Sequence, residues 1–85
     1  MAKESSAHML TFDHPAMYQI RVQGRIKESW SDRLEGMMIR LDTSDEGLFI
    51  STLEGELQDQ AALAGVLNAI YELHLPVILV KRLNV

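Results

Sequence analysis

Few residues in this 85-residue chain have side chains suited to catalysis or metal binding, and their spacing does not bring them together. The three histidines, His8, His14 and His74, share no ligand spacing. They read as two tail residues and one helix-end residue, because a metal site needs three or four donors converging on one point. Glu54, Glu56 and Asp59 cluster. Such carboxylates do acid–base work only in a pocket that retunes them, and here a solvated turn and a helix cap explain them. Cysteine is absent, so a disulfide framework, a thiolate nucleophile and a cysteine metal site are excluded. The serines lack a GxSxG elbow. The glycines stand singly at 24, 36, 47, 55 and 65, which forms neither a dinucleotide fingerprint nor a phosphate loop. Trp30 reads as a core plug ahead of a ligand anchor. The expectation is no catalytic residue, no cofactor and no metal.

The element that would position everything else is Asp59 to Pro76. Leu63, Val66, Leu67, Ile70 and Leu73 lay an apolar stripe along a helix. Asp59 is the expected N-cap, and Pro76 ends the segment. His74 falls where the chain turns left-handed after a helix. Gly65 in mid-helix predicts close packing against a strand. Val77 to Val80 then reads as a short buried strand.

Earlier segments read as strands and turns. Tyr18 to Val22 alternates, with Tyr18, Ile20 and Val22 on one face and Gln19, Arg21 and Gln23 on the other. Ser29 to Gly36 suggests a short helix with Ser29 and Asp32 as a weak capping box, Trp30 and Leu34 on one side, and Gly36 as its stop. A loop with Trp30 as a plug competes with that reading. Gly36 to Asp42 and Leu48 to Leu53 alternate around the turn Thr43–Gly47, which predicts an antiparallel hairpin. Glu54-Gly55-Glu56 reads as the way out to the helix.

The order strand, short helix, strand, strand, long helix, strand predicts an α+β two-layer sandwich, ferredoxin-like, with one four-stranded sheet and strands one and three central. Residues 16–85 form the single domain. Residues 1–15 read as a flexible N-terminal segment, in which His8-Met9 resembles a cloning junction. The buried face would carry Tyr18, Ile20, Val22, Met37, Ile39, Leu41, Leu48 and Ile50. The opposite face has no helix to cover it, and the alternation assigns it Gln19, Arg21, Met38, Arg40, Phe49 and Ser51, with Leu53 beside them.

A domain this small buries only about 60% of its unfolded surface, which favours self-association. The uncovered face therefore reads as a homodimer interface, or one for another protein, in a non-enzymatic interaction or regulatory module. The alternative is a small-molecule-binding or catalytic protein with a pocket at a dimer junction near Trp30. The net charge of −4 argues against a nucleic-acid surface. RNA-recognition domains stack bases on outward aromatics of the central strands, and here only Phe49 would qualify. No stretch approaches the roughly 18 apolar residues of a membrane span, and no apolar signal core precedes the domain, so the expected location is cytoplasmic.

Four stretches together resemble a known group. They are Tyr18-Gln-Ile-Arg-Val-Gln-Gly24, Trp30-Ser-Asp, Asp59-Gln-Ala-Ala-Leu63 with Gly65, and Leu73-His-Leu-Pro76. They are similar to small bacterial proteins of unassigned function that read YEIRVxG, RWxxWF, GPVxDQAALHGLL and LGLPLLSVxR. The likeness covers roughly residues 17 to 83, and the DQAAL and LxLP elements are specific as a pair. It implies a family placement and no activity. Three elements depart from the pattern. Ala64 stands where the group has His, so chemistry resting on that imidazole is absent. His74 replaces a Gly at a turn, and Arg33-Leu34 replaces the second aromatic pair.

Overall fold

The computed structural model describes residues 15–83. All but Pro15 of the N-terminal segment expected to be flexible lies outside the described residues. The elements are β1 (Ala16–Gln23), a 3₁₀ helix (Glu28–Leu34), β2 (Met38–Thr43), β3 (Phe49–Leu57), the helix α1 (Gln60–Glu72) and β4 (Val77–Arg82). The strands form one antiparallel sheet in the order β2-β3-β1-β4, so strands one and three are central, as expected. The α+β class holds: one sheet, with the helices gathered on one side.

Local chemistry explains α1. Asp59 is its N-cap, and Oδ1 accepts a 2.9 Å hydrogen bond from the Ala62 amide. Val66, Ala69 and Ile70 are buried, with Leu63, Leu67 and Leu73 partly so, which is the stripe the periodicity predicts. His74 takes φ 60°, the left-handed turn expected of it. Gly65 corrects an expectation. It is exposed, and a Cβ added there would meet nothing within 4 Å, so no close packing explains it.

The segment after β1 is reduced. Its N-cap is Lys27 and carries no side-chain cap, so the expected Ser29–Asp32 capping box does not form. Only seven residues of 3₁₀ helix result, a geometry whose poorer hydrogen bonds keep it short. Leu34 is fully buried and Trp30 packs partly buried against the same core. Ser31 ties the segment to the sheet by donating its hydroxyl to the Met37 carbonyl, 2.8 Å away.

The hairpin forms as expected. Ser44 Oγ accepts from the amides of Glu46 and Leu48, and Gly47 supplies φ 84°. Strand β3, however, runs to Leu57 and absorbs Glu54-Gly55-Glu56. Gly55 looks like a turn signal but marks a close approach: a Cβ there would lie 3.2 Å from Met37 Cα.

The width of the sheet decides where the core sits. Four strands about 4.8 Å apart span roughly 15 Å between the outer axes. One helix with its side chains is about 10 Å across. Helix α1 packs against β3 and the 3₁₀ helix, so the roof is centred away from β4.

Candidate interaction surfaces

Cross-strand register fixes which side chains share a face, because directly opposed residues of antiparallel strands point the same way. On the helix side, one rung runs Ile39–Leu53–Ile20–Val80 across all four strands. The first three are buried, but Val80 is 42% exposed. Val77, opposite Val22 on the same side, is 44% exposed, and Ile78, at the irregularity between these rungs, is 50% exposed. The expected buried strand is therefore a half-bare edge strand. Its outward row of N–H and C=O groups is flanked by Pro76, by the bulge at Val77–Ile78 and by Lys81, three devices that discourage strand-to-strand pairing. What β4 offers is an apolar face.

The other side of the sheet carries the rung Arg40–Thr52–Arg21–Leu79 and the neighbouring rung Met38–Glu54–Gln19–Lys81. Gln19, Arg21, Met38 and Arg40 thus lie together on the uncovered face, as expected. Phe49, Ser51 and Leu53 do not. Ser51 opposes Val22 and Leu53 opposes Ile20, which puts both on the helix side, and Phe49 shares their parity. Ser51 is fully buried there. Its hydroxyl accepts from the Ile26 amide at 2.9 Å and donates to the Gly24 carbonyl at 2.7 Å, clamping the loop that follows β1. The same shift moves Ile50 off the helix face, since it opposes Gln23 and Asp42. Leu48 precedes β3 altogether. The physical reason is the two-residue period: starting the strand at Phe49 and continuing it through Gly55 inverts every assignment made from Leu48. No aromatic residue of the central strands therefore faces outward on the uncovered side.

Charge on that face is mixed. Asp42 Oδ2 accepts from Arg40 Nε at 3.3 Å, with both side chains more than half exposed. Glu54 Oε2 accepts from Gln19 Nε2 at 2.6 Å. Arg21 forms no ion pair among the described residues. The hydroxyl of Thr52, a residue 1% exposed, has no hydrogen-bond partner. No sequence signal singled out Thr52, because its isolation depends on what flanks it across the sheet.

Trp30, the expected pocket residue, is a packed side chain with the Arg33 guanidinium 4.6 Å from its ring centroid. An open cleft of about 290 Å³ lies nearby, floored by Ile39 and Leu41 and walled by Arg25, Ile26, Lys27 and Glu28. A smaller one of about 140 Å³ reaches Glu28, Ser31, Met37, Met38 and Ile39. Trp30 lines neither. Among the described residues no group of three or more histidine or acidic side chains is placed to hold a metal ion. No helix among them is long and apolar enough to cross a membrane.

A family model described as a domain of unknown function (DUF8691) matches residues 17–81. No curated protein and no solved structure matches the chain.

Proposed function

The chain belongs to the family described as a domain of unknown function (DUF8691), which brings no activity with it, and we propose from its surfaces that it is a non-enzymatic, self-associating module. The observation that carries this reading is the bare end of the helix-side rung. Val77, Ile78 and Val80 hold half their surface in water on one short strand, while their neighbours on β1 are sealed. A second copy covering that stripe adds the burial that a domain of this size lacks. The edge devices around β4 direct the contact to the face of the strand. This moves the interface from the uncovered sheet face, where the sequence placed it, to the helix side of β4. The DQAAL and LxLP motifs frame the helix and turn that lead into β4, and we take them as the family's signature.

Sedimentation or light scattering across a concentration series tests the reading. The native chain is expected to gain mass towards a dimer with concentration, and Val80→Lys to remain monomeric with an unchanged circular dichroism spectrum. A native chain that stays monomeric at every concentration defeats the proposal, as does a Val80→Lys variant that associates equally well.

A second reading rests on the larger cleft. Apolar floor residues Ile39 and Leu41 under the cations Arg25 and Lys27 suit a small amphiphilic anion. Its volume is at the low end for ligand sites, which run from roughly 300 Å³. NMR shifts confined to Arg25, Ile26, Lys27, Ile39 and Leu41 in a metabolite screen support this reading, and a silent screen removes it.

A further inference from the structure

We propose that the uncovered face of the sheet holds an oxyanion site built from Arg21, Thr52 and Arg40, which takes a phosphate group, free or carried by a small molecule. The three residues stand side by side on adjacent strands, with Thr52 on β3 between Arg21 on β1 and Arg40 on β2. Strand spacing sets the two arginine stems about 10 Å apart. Guanidinium groups on stems of that length can lean in from both sides towards one bound ion over the threonine.

Three observations point to an anion. Two like charges flank a single residue, and Arg21 has no acidic partner among the described residues. Arg40 meets Asp42 through Nε, which leaves its terminal nitrogens outside that pair. Between the arginines lies the Thr52 hydroxyl, sealed from solvent and without a hydrogen-bond partner. Native proteins seldom leave such a group unsatisfied, so an unmade bond there marks a place for a missing acceptor. Of the nearby carboxylates, Asp42 touches the site only through Arg40 Nε, and Glu54 is held by Gln19.

The chemistry selects the ligand class. Forked guanidinium donors from two sides and a hydroxyl from beneath match a tetrahedral oxyanion with several acceptor oxygens. Arg21 supplies a charge with no acidic partner among the described residues, and the terminal nitrogens of Arg40 add donors that its pair with Asp42 leaves open. Glu54, two residues along β3 on the same face, disfavours an extended polyanion. The site therefore fits a phosphate monoester or free phosphate. It lies on the opposite side of the sheet from the β4 stripe and stands independently of self-association.

The test is an amide and arginine side-chain NMR titration with inorganic phosphate, then with a simple phosphate monoester, at constant ionic strength against chloride. Saturable shifts confined to the rung of Arg21, Thr52 and Arg40 are expected, in the millimolar range. Arg21→Gln and Arg40→Gln should each weaken phosphate by about tenfold. Thr52→Val, which keeps the shape and removes the donor, should weaken it less while the spectrum stays folded. Lys81→Gln, on the same face one rung away, should leave binding unchanged. A titration that does not saturate, shifts that chloride reproduces, or equal binding by Arg21→Gln and the native chain overturns the site. Tighter binding of the monoester than of phosphate assigns the ligand to a phosphorylated metabolite, and equal binding assigns it to the free ion.

Discussion

Ile39 and Val80 occupy the two ends of one rung, each one strand out from a fully buried neighbour, yet Ile39 is sealed and Val80 is 42% exposed. The difference comes from what lies above them. On the β2 side the 3₁₀ helix sends Leu34 into the core and α1 leans against it. On the β4 side nothing broad packs down among the described residues. A roof of one helix and one short turn covers Ile39, Leu53 and Ile20 on this rung, while Val80 on β4 stays exposed, as does Leu41 farther along β2. Residues with the same apolar character thus meet different surroundings: Ile39 is packed into the core, and Val80 keeps 42% of its surface exposed.

Substitutions can break or sharpen this contrast. Ile39→Ala should cost about 2–5 kcal/mol in denaturant unfolding, the usual range for emptying a sealed core position. A loss as small as that at Val80 would show that the β2 side is not roofed as described. Ser51→Ala removes the buried clamp on Gly24 and Ile26 and should cost about 1–3 kcal/mol, because the Ile26 amide then has no partner. An unchanged midpoint would mean that the loop after β1 is held by other contacts. Gly65→Ala, on the outer side of α1 with open space around it, should stabilise by about 1 kcal/mol. A loss of stability instead would reveal a contact on the helix's outer side. Val80→Lys should move monomer stability by no more than about 0.5 kcal/mol, an ordinary surface effect. A large loss there would place Val80 in the core and remove the contrast.

Much of this was legible from the residues. Asp59 capping the helix, His74 turning left-handed and Ser44 to Gly47 closing the hairpin depend on a few neighbours, and local chemistry decides them. Strand β1 showed its faces because Tyr18 to Gln23 alternates in sequence, and the burial of all eight residues follows the same period. The face of β3 was not legible. Leu48 looks like its first inward residue, and Gly55 looks like its end, until Met37, just before β2, is seen pressing on that glycine. The site residues divide in the same way. Arg21 and Arg40 could be assigned to one face from alternation, while the unpartnered hydroxyl between them depends on register across three strands. The bare face of β4 was hidden for a related reason: an apolar run announces burial, and only the width of the roof shows that among the described residues no element covers it.

The bulge at Val77–Ile78 bears on how many copies can gather. A straight, flat edge on β4 would accept another chain's edge, which would accept the next, and growth would have no natural stop. A kinked edge with a proline before it and a lysine near its end refuses that invitation, and contact through the face of the strand occupies the same patch on both copies at once. The apolar stripe is used up when two molecules meet. As the contact proposed above, a half-bare strand of this kind would stop at a pair and leave a fibre no place to begin.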